Sequence, residues 1–117
     1  MRFQNGFFLL VATVAVAGVF VPRAGVAADA KKGEAIYSQS CAACHGSDGK
    51  GALPGVPDFN AKKGVLSSTD AVLAERITNG YQSKGSAMAM PAKGGNSSLT
   101  AQDISDVIAY LRQRFAG

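Results

Sequence analysis

The chain has 117 residues, 47 % of them hydrophobic and 17 % charged, with a formal net charge of +4. That length and balance fit one globular domain and exclude a multidomain enzyme. Two cysteines, one histidine and no tryptophan leave a narrow range of site chemistry.

The first predicted element is a leader. Arg2 precedes a charge-free apolar run from Gly6 to Val21 that ends at Pro22 and Arg23. The run is shorter than the ~20 residues that span a hydrocarbon core. A positive start, an apolar stretch and small residues after a helix-breaking proline are the marks of an export signal. Cleavage after Ala28, with Val26 two positions before it, assigns residues 1–28 to a signal peptide and 29–117 to the exported domain. Ala30 offers a second cleavage position, and an uncleaved anchor is the competing reading. Losing Arg2 and Arg23 removes two of the four net positive charges. The remaining lysines are scattered rather than gathered into a basic stripe, so a nucleic-acid partner is not expected. Nor is stable membrane insertion after cleavage.

A short helix is expected over Ala30–Ser40, with Gly33, Tyr37 and Cys41 each four apart on one face. It runs into Cys41-Ala42-Ala43-Cys44-His45. C-x-x-C-H is the attachment pattern of c-type haem, in which two thiols add to the macrocycle and the adjacent imidazole binds iron. On a helical turn the two thiols share a side, and the next residue's ring can swing beneath the same plane. A disulfide oxidoreductase would want a strand, helix and strand pattern, which this chain does not display. Structural zinc wants four Cys or His ligands, and the chain has three such residues. Soft Cu(I) held by the thiols and methionines is the minor rival.

Ser67 to Asp70 supplies N-cap chemistry for a helix over 71–78, which Asn79-Gly80 ends. Next comes a loop carrying Met88-Ala89-Met90-Pro91, flanked by Gly85 and by Gly94-Gly95. A thioether is a suitable second axial ligand for a low-spin haem. Met90 is favoured over Met88 because Pro91 pushes it into an extended backbone. The last helix opens with a Thr100–Asp103 capping pair and a Leu99–Ile104 staple. Ile104, Val107, Ile108, Leu111 and Phe115 trace its apolar stripe, with Gln102, Asp106, Gln113 and Arg114 on the outer face. This stripe reads as core rather than as a partner site.

From Lys31 to Arg114 the chain resembles the class I c-type cytochromes. The resemblance rests on Gly33 and Tyr37 ahead of Cys41-Ala42-Ala43-Cys44-His45-Gly46, on Pro57-Asp58-Phe59, on Met90-Pro91-Ala92-Lys93-Gly94-Gly95, and on the closing helix. It implies an all-α cytochrome c fold of three or more short helices wrapped around one covalent haem c. Cys41 and Cys44 would hold that haem, with His45 and Met90 on iron. The first and last helices would cross at Gly33, Tyr37, Val107 and Tyr110. The family's carbonyl that orients the proximal imidazole would fall on Pro57, with Pro54 as its rival. The implied function is one-electron transport in the periplasm, with no substrate chemistry, to redox partner proteins such as a dehydrogenase, oxidase or reductase. Lys50, Lys84 and Lys93 lie in loops expected to rim the haem edge. Two alternatives stand beside this reading: a small haem subunit of a periplasmic dehydrogenase or oxidase complex, and a haem enzyme or gas-binding protein with an open iron site.

Overall fold

The structure, a computed structural model, describes Gly18 and residues 25–117. The expected leader and its anchor alternative fall, but for Gly18 and residues 25–28, outside the described residues. Among the described residues there are four α-helices: α1 (Ala30–Ser40), α2 (Ala42–His45), α3 (Asp70–Asn79) and α4 (Ala101–Phe115). Two 3-10 turns, Val65–Ser67 and Ala92–Gly95, sit in the connections. The sole strand-like feature among them is an isolated antiparallel bridge between Tyr81 and Met90. No helix of the described residues is long and apolar enough to cross a membrane.

Local chemistry sets the helix ends. The Asp29 carboxylate accepts from the Lys31 and Lys32 amides and so caps α1. Thr69 caps α3 by accepting from Val72 N, and Gly80 at φ +80° stops it. Thr100 and Asp103 form the reciprocal capping box of α4. Each such cap is worth ~1 kcal/mol.

Helices α1 and α4 pack face to face at a crossing fixed by Gly33, whose missing side chain lets the Asp106 carbonyl approach. The α4 stripe is buried as its spacing requires: Ile104, Val107, Ile108, Leu111 and Phe115 join Tyr37, Phe59, Leu66 and Leu73 in one core. Burying each large apolar side chain contributes ~1.5–3 kcal/mol. Tyr37 is the hub, with its ring 5.3 Å from Tyr110, 5.8 Å from Phe115 and 6.5 Å from Phe59.

One expectation is corrected. Asp106 does not lie on the outer face of α4; it is 2 % exposed, with its carboxylate accepting from Asp29 N at 2.8 Å and Gln102 Nε2 at 3.0 Å. The reason is the crossing itself, which lays the start of α1 over this part of α4.

Candidate functional site

Helix α2 is a single turn between Cys41 and Gly46, and it carries both thiols' neighbourhood and the imidazole. Cys41 alone separates it from α1, where the Tyr37 carbonyl accepts from Cys41 N at 2.9 Å. At the far end, the Tyr37 hydroxyl donates to the Gly46 carbonyl at 2.6 Å. Tyr37 therefore holds both ends of the turn. Burial also pushes its phenol well above the usual range, which keeps that donor protonated.

Cys41, Cys44 and His45 open onto a cavity of about 390 Å³ that Phe59, Leu73, Val107 and Leu111 line with carbon. Met88, Met90 and Pro57 reach the same cavity from the connecting loops. The structure thus brings together every residue singled out from the sequence as a ligand or anchor. Both cysteines are free and half-buried. Burial pushes the Cys41 thiol up to about 11, with the Cys44 sulfur adding to the effect. A disulfide-exchange thiol is displaced the other way, toward the thiolate. Among the described residues no group of three or more His, Cys, Asp or Glu side chains is arranged to hold a metal ion.

The imidazole of His45 is stacked on Phe59, with centroids 4.6 Å apart and planes 16° from parallel. Burial lowers its pKa and favours the neutral ring that can donate to a metal. Its Nδ1 is buried and is the one such side-chain atom among the described residues without a hydrogen-bond partner. Pro57 lines the same cavity and Pro54 does not, but neither carbonyl bonds Nδ1. A buried polar atom of this kind carries a cost that a bound group drawing the ring toward itself can offset.

Met90 and Met88 are held differently. Met90 N donates to the Tyr81 carbonyl at 2.8 Å, and the Met90 carbonyl accepts from Tyr81 N at 3.1 Å. Gly80 makes this approach possible, since a side chain there would stand 2.7 Å from the Met90 carbonyl. Met88, 47 % exposed, sits in a turn held by the Ser86 hydroxyl. The pairing extends Met90's backbone as Pro91 requires, and its side chain is the more buried of the two. Arg76 adds a feature that sequence reasoning missed, its guanidinium lying 4.1 Å above the Tyr81 ring at the cavity wall. Its place beside Val72, Leu73 and Ile77 on α3 was the available signal. Lys50 and Lys84 are exposed and Lys93 is half-buried, and none of the three lines the cavity.

The donor set fits a covalently bound haem: two thiols and an imidazole on one turn, two thioethers opposite in sequence, and an apolar cavity between the elements that carry them. Comparison with known proteins agrees. Residues 28–111 match the family model described as cytochrome C oxidase, cbb3-type, subunit III. Cytochrome c-555 of Chlorobaculum tepidum is 37 % identical over 81 % of this chain and 85 % of its own length. Cytochrome c6 of Pyropia yezoensis is 40 % identical over 73 % of this chain and 71 % of its own. Among solved structures, the c-type cytochrome XoxG from Methylobacterium extorquens AM1 superposes with a TM-score of 0.58 at 26 % identity. That match covers 74 % of this chain, which spans half of the XoxG chain.

Proposed function

The chain belongs to the class I c-type cytochromes and carries one covalent haem c, and from that premise we propose that it is a periplasmic one-electron carrier in which His45 and Met90 would hold the haem iron. The leader, residues 1–28, directs export, and residues 29–117 are the working domain. When bound, the haem supplies a one-electron couple with no bond to a substrate. Everything else is done by the chain. Cys41 and Cys44 anchor the group to the turn, Phe59 fixes the plane of the imidazole, and the carbon-lined walls exclude water. A thioether ligand and a dry surround both raise a reduction potential.

The observation that carries this reading is the Tyr81–Met90 pairing, because it holds a thioether-bearing residue at the cavity through the backbone. With His45 and Met90 both holding the iron, the chain would leave no open site for a substrate, which is the chemistry of a carrier rather than of an enzyme. A visible spectrum of the purified protein tests the assignment. The oxidised form should show the weak far-red methionine-to-iron band, and the reduced form should not take up carbon monoxide at neutral pH. Absence of that band together with rapid carbon monoxide binding would point to the open-site alternative.

A second reading takes its cue from the name of the family model, which is that of an oxidase subunit. In that case the domain passes electrons within a complex. Purification from native membranes and from the periplasmic fraction distinguishes the two, since a free carrier elutes alone and a subunit elutes with its complex.

A further inference from the structure

Asp106 is the one buried charged residue among the described residues, and it has no cationic partner there. The only ion pair among them is Arg112 with Asp70. A buried carboxylate without a counter-ion is costly, and hydrogen bonds from neutral donors offset this in part. Its two donors are the Gln102 amide and the backbone nitrogen of Asp29. The Asp29 side chain is committed elsewhere, to the Lys31 and Lys32 amides.

The nitrogen that Asp106 holds is the one that leader removal would free. Residues 25–28 ahead of it are exposed and outside any helix, and Val26-Ala27-Ala28 is the small-residue pattern a leader peptidase accepts. Resting on the export reading above, we propose that cleavage of the Ala28–Asp29 bond creates the missing cation, and that the new α-ammonium forms an ion pair with buried Asp106. In the step, water adds across the peptide bond. The hydroxyl goes to the Ala28 carbonyl carbon, the C–N bond breaks, and the Asp29 nitrogen leaves as an amine that takes up a proton. An α-amine with an ordinary pKa of ~7.7–8.0 is already largely protonated at neutral pH, and an adjacent carboxylate favours that form further. The donor atom stays in place while its charge changes from zero to one.

The same geometry chooses between the two cleavage positions. A cut after Ala30 would remove the α1 cap and one of the two Asp106 donors at the same time. A cut after Ala28 keeps the cap and strengthens the bond. Processing thus completes the α1–α4 crossing only after export, and the unprocessed chain carries an unneutralised carboxylate at that crossing.

The test uses the haem-loaded protein. Mass spectrometry of the exported form should give Asp29 as its first residue; a start at Lys31, or retention of residue 28, would overturn the processing reading itself. Given a start at Asp29, four proteins are compared by guanidinium unfolding: Asp106 or Asp106→Asn, each beginning at Asp29 or carrying a short neutral Gly-Ser extension. Coupled groups in contact show interaction energies that correspond to roughly a tenfold change in the unfolding constant. Asp106→Asn should therefore lower the folding constant on the order of tenfold more in the protein that begins at Asp29. Equal effects in both backgrounds would mean an amide hydrogen bond only, and the ion pair would be wrong. Should Asp106→Asn not fold, acylation of the α-amine in the wild type decides: slowing by at least about tenfold relative to the unfolded chain supports the pair, and equal rates overturn it.

Discussion

A methyl group built on Gly33 would stand 1.9 Å from the carbonyl oxygen of Asp106 and 2.9 Å from the backbone nitrogen of Val107. Those neighbours are helix backbone and cannot rotate away. Gly33→Ala would gain ~1 kcal/mol of helix propensity, whereas overpacking at a rigid contact costs up to about 3 kcal/mol. The clash wins. The variant should unfold about 2 kcal/mol more easily in guanidinium, and an unchanged midpoint would show that the two helices do not meet here.

The axial assignment predicts opposite outcomes for two neighbouring methionines. Met90→Leu should abolish the far-red band and open the iron to carbon monoxide. Met88→Leu, at a half-exposed position in a turn, should leave both properties unchanged. The reverse pattern would move the ligand to Met88.

Arg112 joins α4 to the segment ahead of α3. Its guanidinium donates to the carbonyls of Leu66 and Ser68 and to the Asp70 carboxylate at 2.8 Å. Asp70 is 71 % exposed, so the ion pair itself contributes less than ~1 kcal/mol. The carbonyl bonds from a charged donor are worth ~1.5–3 kcal/mol each before competition with water. Arg112→Gln should therefore destabilise the protein by about 2 kcal/mol, with little dependence on salt, while Asp70→Asn stays under ~1 kcal/mol. If Asp70→Asn costs as much as Arg112→Gln, the ion pair dominates and the ordering fails.

Asp103 gives an acid-side prediction. The backbone amide of Thr100, then its hydroxyl, donate to the carboxylate and hold its pKa below the usual value. A depressed carboxyl contributes stability above its unfolded pKa of ~3.9 and loses it as pH falls through the folded value. The wild type should lose stability as pH drops from ~5 toward 2, and Asp103→Asn should show a shallower decline over that window. Urea melts at several pH values read this directly.

Local features were legible in the sequence and distant ones were not. The Thr100–Asp103 box, the Asn79-Gly80 stop and the α4 stripe each depend on residues within a turn or two of one another, and all three are present. The cysteine and histidine turn was legible for the same reason. Asp106 was misread because the backbone nitrogen that its carboxylate accepts from belongs to Asp29, 77 residues earlier. On a helical wheel its polarity placed it outside. The reach of Arg112 to Leu66 crosses 46 residues and leaves no local mark. The Tyr81–Met90 bridge had no strand-like alternation to announce it, since a single pair of hydrogen bonds needs none.

That bridge divides the segment it closes from the residue it positions. Between its two members, Gln82 to Ala89 are exposed apart from half-buried Ser86. Closing a longer loop is cheap, about 0.6 kcal/mol for each doubling of its length. Insertions at Lys84-Gly85 should therefore be well tolerated, because they leave Met90 on the same backbone hydrogen bonds and stand clear of Ser83, Ser86, Met88 and Ala89, which line the cavity. The surface at the tip of this segment can be redrawn, for a new partner or by design, while Met90 stays where it is.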